Sequence, residues 1–118
     1  MRSWNLAAIE TPDGSRSPVV LHSAEGEARA VLIGLLPGQE LGDHQVKEAA
    51  FLIVVDGSAR VECGGEVVDA SPGMLFRFDP DERHAVSSAE GARLLLVLAP
   101  WPGAGHYRGE ARAADSAL

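Results

Sequence analysis

The residues best equipped for chemistry are two histidines in unlike settings. His44 lies within Gly38-Gln39-Glu40-Leu41-Gly42-Asp43-His44-Gln45-Val46-Lys47-Glu48-Ala49-Ala50, and His84 stands alone well downstream. A neutral imidazole can ligate a divalent metal, act as a general base, or hold a carboxylate or carbonyl by a hydrogen bond. Catalytic metal sites ordinarily take three protein ligands, and even a facial triad adds a carboxylate to two histidines. The two imidazoles therefore fall short by one donor, which Glu48, Asp43 or His22 would have to supply. Glu48 is the first choice, since it lies between the segments that carry the histidines. Against it, turn carboxylates normally face water and are almost never buried unpaired. Without a third donor, His44 and His84 are either interior polar groups satisfied by each other, by water or by backbone, or the polar end of a small-molecule pocket.

Three other places carry reactive or recognising groups. Cys63 has no neighbouring His or Lys in sequence to activate it. The alternation in Arg60-Val61-Glu62-Cys63 puts Val61 and Cys63 on one face of a half-buried strand, so Cys63 reads as an inert thiol. Arg77, between Phe76 and Phe78, faces opposite to both in a strand and is expected in solvent rather than as an anion clamp. The segment from Pro100 and Trp101 to Tyr107 and Arg108 is rigid and aromatic. It is expected to fold back over a barrel edge or mouth, packing within the chain or between two copies, because sheet edges are normally covered and Trp and Tyr are enriched at interfaces.

Composition narrows the class. A chain of 118 residues, 46% hydrophobic and 23% charged, suits one globular domain. A net charge of -7, a pI near 4.9 and the lack of any basic run argue against nucleic acid or an anionic membrane as partner. The apolar runs, such as Ala49 to Val55 and Leu94 to Ala99, are far short of the roughly 20 residues that cross a bilayer. A single cysteine forms no intrachain disulfide, and Met1 to Pro12 lacks a charged region followed by a long apolar one, so a cytoplasmic setting is expected.

The elements that must position these groups are strands. Short apolar or alternating segments follow one another at the even spacing of an all-β sandwich or barrel, and helical periodicity is almost absent. The predicted strands are Val19 to His22, Ala28 to Leu36, Phe51 to Val55, Ala59 to Cys63, Glu66 to Ala70, Met74 to Phe78, His84 to Ser88 and Arg93 to Ala99. Asp56-Gly57 and Gly64-Gly65 supply the positive φ angles of tight hairpins. Phe51 to Val55 and Leu94 to Leu98 are apolar throughout, as in strands covered on both faces. The end, Glu110 to Leu118, reads as a frayed or weakly helical tail.

On these residues the chain resembles the cupins. Their first motif is a glycine, five residues, His-x-His, three or four residues, a glutamate, six residues and a glycine. Here that frame falls on Gly38, His44, Val46, Ala50 and Gly57. Their second motif falls on Pro72-Gly73, Pro80, His84 and Ser88. The resemblance covers about Ala28 to Ala99 and implies a double-stranded β-helix of the jelly-roll type. It also implies a barrel-bound divalent metal (Fe, Mn, Zn, Ni or Cu) held by two motif-one histidines, the glutamate and the motif-two histidine. Val46 and Ala50 replace two of those ligands, which leaves a more apolar and, at Ala50, roomier cup.

Residues 1–27 are expected to pack on a barrel formed by 28–99, with 100–118 as an extension. The leading expectation is a metal-free module, with no cofactor, that binds a small molecule in a pocket lined by His44, Val46, Ala50, Leu52, Phe76 and His84. A second copy, in a homodimer, is the expected protein partner. One alternative is a metal-dependent enzyme of oxygenase or isomerase type using His44, His84 and Glu48. The other is a metal-free isomerase or lyase with His44 or His84 as base and Tyr107 as proton partner.

Overall fold

Turn chemistry sets the path of the chain. In the computed structural model, which describes residues 1–14 and 18–102 apart from the side chains of Asp43 and His44, the Gly64-Gly65 hairpin has φ angles of 59° and 81°. Gly57, at φ 78°, turns between two strands where a Cβ would sit 2.3 Å from the Gly91 carbonyl oxygen, so a side chain there is excluded both by backbone conformation and by space.

Nine strands result among the described residues: β1 Val19–Ser23, β2 Arg29–Leu35, β3 Glu40–His44, β4 Ala49–Gly57, β5 Ala59–Cys63, β6 Glu66–Ala70, β7 Leu75–Phe78, β8 His84–Ser87 and β9 Ala92–Ala99. A 3₁₀ turn, Leu6–Ala8, precedes them, and no helix among the described residues is long and apolar enough to cross a membrane. β5 and β6 match their predicted bounds, and six further strands match within two residues at each end. β3 is the strand the sequence does not announce.

The described pairings are all antiparallel. One sheet has the order β1-β2-β9-β4-β7 and the other β3-β8-β5-β6. The two sheets enclose a core to which β2 gives Val31, Ile33 and Leu35, β4 gives Ala50, Leu52 and Val54, and β9 gives Leu94, Leu96 and Leu98, against Leu41, Val61 and Val86 from the other sheet. This is the all-β double-stranded β-helix that the turn spacing and motif frame imply.

Coverage of the five-stranded sheet differs from expectation. In β4 and β9 fully buried residues alternate with half-buried ones, so their outer faces are only partly covered. β2 instead has an unbroken buried run from Val31 to Leu35. The N-terminal segment lies on the outer face here: Arg93 Nη1 donates to the Ala7 carbonyl at 2.6 Å, and Thr11 Oγ1 stands 2.1 Å from where a Cβ on Gly34 would be. Glycine at position 34 is what lets the two backbones approach.

Candidate functional site

The register of the four-stranded sheet brings together residues far apart in sequence. His44 of β3 pairs with His84 of β8, His84 pairs with Cys63 of β5, and Cys63 pairs with Glu66 of β6. Paired residues project to the same face of a sheet, so His84, Cys63 and Glu66 form a row near one end of the barrel, and His44 holds the register position next to His84. The side chain of His44 lies outside the described residues, as do those of Asp43 and Tyr107. Cys63, isolated from any histidine in sequence, is thus the cross-strand neighbour of His84. His22 sits on β1 in the opposite sheet, where it faces Glu27 at 3.5 Å.

The turn between β7 and β8 links this row to the first motif. Pro80 and Asp81 occupy its centre, Glu82 N–H donates to the Asp79 carbonyl, and Asp81 takes the positive φ (64°) that a type II turn needs at that place. Asp81 N–H also donates to the Val46 carbonyl at 2.7 Å, which fastens the turn across the barrel end.

Glu82 then acts on two neighbours. Its backbone carbonyl lies 3.0 Å from His84 Nδ1. Its carboxylate accepts the Asp79 N–H at 2.9 Å, and its side chain shares a cavity lining with Cys63. Desolvation is the largest cause pushing the Cys63 pKa from 9.0 up to about 11, followed by the Glu82 hydrogen bond and the negative charges of Glu82, Glu66 and Asp79. This thiol is the opposite of an activated nucleophile, in line with the inert reading.

His84 itself is 4% exposed and lies flat against Phe78, with ring centroids 3.9 Å apart and planes inclined by 2°. With Nδ1 against a carbonyl, that nitrogen carries a hydrogen and donates it.

The positions where the cupin frame implies two further ligands are filled by core. Val46 is 3% exposed and Ala50 0%, and both belong to the apolar cluster that includes Leu52 and Phe78. Glu48 corrects an expectation: it is not in water but 5% exposed. From Gln45 to Ala50, Val46, Glu48 and Ala50 are buried while Gln45 and Lys47 are exposed. Among the described residues, which leave out the side chains of Asp43 and His44, no group of three His, Cys, Asp or Glu side chains is placed to hold an ion.

Beside Cys63 a cavity of about 210 Å³ is bounded by Val61, Cys63, Glu66 and Val68 from β5 and β6, by Phe76, Arg77 and Phe78 from β7, and by Glu82. Of the six residues expected to line a pocket, Phe76 reaches this cavity. Val46, Ala50, Leu52 and His84 are buried in the interior. Larger hollows near Ser58 and Ser88 (about 410 Å³) and near Asp56 and Arg93 (about 310 Å³) have no aromatic lining. Arg77 turns its guanidinium outward, 5.8 Å from the Phe51 ring centroid and paired with Asp79, as its strand position predicts. Trp101 is buried in the chain's own core with Arg29 over its ring at 5.0 Å, so this part of the aromatic segment packs within the chain, and residues 103–118 lie outside those described.

Cys63, Glu66 and Glu82 are the site residues that sequence reasoning does not bring together as a group. The Gly64-Gly65 hairpin gives the Cys63–Glu66 pairing, but nothing local gives the contact with Glu82, which depends on how the β7–β8 turn crosses the barrel end.

Comparison with known proteins agrees with this architecture. Among curated proteins none matches the chain. Among solved structures, the TT1209 protein of Thermus thermophilus is 27% identical, with 86% of this chain and 100% of that chain covered and a TM-score of 0.72. An RmlC-like cupin protein of Desulfovibrio desulfuricans is 24% identical over 85% of this chain and 97% of that one, with a TM-score of 0.73. A structure of oxalate decarboxylase is 31% identical, but over 63% of this chain and 21% of that chain, with a TM-score of 0.59. The family model described as the cupin domain matches residues 31–98, more than half of the sequence and a span that holds both motif frames. This chain belongs to the cupin domain family.

Proposed function

We propose that this cupin binds a small molecule at the barrel end beside Cys63, without a resident metal ion. The observation that carries the reading is the fate of two ligand positions of the family frame. Val46 and Ala50 offer no lone pair, and both are packed into the apolar core. Polar groups and aromatic rings meet instead around the adjacent cavity, the usual composition of a small-molecule site. Titration of isotope-labelled protein with a fragment library, followed by nuclear magnetic resonance, tests this. Saturable shifts centred on Val61, Val68 and Phe76 are expected. Shifts confined to another part of the surface, or none with any fragment, contradict it.

One observation favours a second reading, a metal-dependent cupin enzyme of oxygenase or isomerase type using His44 and His84. Glu48 is buried, as the missing carboxylate would be. The similarity to part of oxalate decarboxylase supports an enzymatic role in general and neither reaction type in particular. Calorimetric titration with Zn²⁺ and Mn²⁺ separates the readings: a stoichiometric site that Glu48→Gln weakens supports the second, and heat of dilution alone supports the first.

We also propose a homodimer. Leu95, Ile53 and Leu75 form one register row on the outer face of the five-stranded sheet, and Leu75 is 61% exposed. Light scattering should give twice the chain mass, and Leu75→Glu should give the monomer.

A further inference from the structure

We propose that the cavity beside Cys63 takes a small organic cation with an apolar body, the charged head lying between Glu66 and Glu82 and the body resting on Phe76. This inference rests on the reading that the barrel binds a small molecule, and adds the chemical class of the ligand.

Exposed carboxylates are common and alone identify nothing. Here they stand at the rim of a preformed cavity with an aromatic and aliphatic floor. The one base among the lining residues, Arg77, directs its guanidinium to the opposite face of the sheet, over Phe51, and is paired there with Asp79. It therefore does not neutralise Glu66 and Glu82 from the inner side. Glu82 and Glu66 line the cavity together with Cys63, and both favour the protonated form of its thiol. A carboxylate offers about four acceptor positions. Glu82 uses one for the Asp79 N–H, so a cationic N–H donor can still be accepted.

The ring faces add to this preference. An ammonium group near an aromatic face is attracted by the ring quadrupole, and more strongly when partly desolvated. Phe78 has one face covered by His84, while Phe76 is half-buried and lines the cavity. A carboxylate ligand would meet like charge from Glu66 and Glu82. The cavity thus selects by sign of charge as well as by shape.

The test uses three probes that share one ring: benzylammonium, benzyl alcohol and benzoate. Each is titrated against the labelled protein and against the Glu66→Gln/Glu82→Gln variant. Benzylammonium is expected to saturate with shifts at Val61, Val68 and Phe76, to bind about tenfold or more weakly in the variant, and to outcompete the neutral alcohol. Benzoate is expected not to saturate. The sole cysteine gives an independent readout, the rate of Cys63 modification by a cationic against an anionic methanethiosulfonate, each normalised to free cysteine. The cationic reagent should be favoured, and the preference should collapse in the variant. Equal binding of alcohol and ammonium, or tighter binding of benzoate, would overturn the cation class while leaving the cavity as a ligand site. If no probe shifts the cavity residues and the two reagents show no charge preference, the cation proposal fails; if the fragment library also leaves these residues unmoved, the small-molecule reading fails with it.

Discussion

His84 and Phe78 form a flat stack across the barrel end, ring centroids 3.9 Å apart and planes within 2° of parallel. The imidazole is also tied to the Glu82 carbonyl and almost wholly buried. The position that the family frame assigns to a ligand is therefore part of the packing here. Replacing it with alanine removes the stacked ring and leaves a void, at about 3 kcal/mol by analogy with other aromatic truncations. His84→Phe keeps a ring on Phe78 while losing the hydrogen bond to the Glu82 carbonyl, so about 1 kcal/mol is expected. Urea denaturation of both variants measures the difference.

Cys63 should respond to alkali. With its pKa at about 11 rather than 9.0, the folded state keeps the thiol proton where the unfolded chain has released it. Stability from this group is full below pH 9 and is lost as pH rises towards 11. Reactivity follows the same shift: alkylation by iodoacetamide at pH ~8 should be about a hundredfold slower than for an ordinary thiol of pKa 9.0. Glu82→Gln removes a negative charge and should raise the rate. A rate equal to that of free cysteine would mean the thiol does not sit in this desolvated, negative surrounding.

Ser88 stands at the last place of the second motif frame and serves as a bracket. Its hydroxyl donates to the Ser58 carbonyl at 2.6 Å and accepts the Gly91 N–H at 2.8 Å, while its own N–H and C=O pair with Gln39 and Gly38. Ser88→Ala abandons two side-chain hydrogen bonds at a residue that is nearly fully buried, and about 1–2 kcal/mol of stability should go with them. Thermal unfolding of this variant, with Arg77→Ala as an exposed control expected to shift little, provides the check.

Much of the fold is legible because glycine and proline mark its turns. Asp56-Gly57, Gly64-Gly65 and Pro72-Gly73 bound strands whose apolar pattern is strong, and β5 and β6 follow from them directly. β3 is hidden because Glu40, Gly42 and Asp43 show no strand pattern. It exists through its pairing with β8, where Leu41 pairs with Val86 and His44 with His84, with a register irregularity between. The burial of Glu48 escapes for a related reason: it lies in the bend between β3 and β4, where no strand period applies and a glutamate beside lysine looks solvated. The two histidines are legible as a pair. The company of Cys63 and Glu82 is not, since a contact made across two strands and a turn leaves no local trace in sequence.

Ligand binding without a metal is the central claim. Elemental analysis by inductively coupled plasma mass spectrometry, on tag-free protein purified without chelator and beside the His84→Ala variant, measures this directly. Only trace metal is expected in both samples. Close to one metal ion per chain, disappearing in His84→Ala, would contradict it.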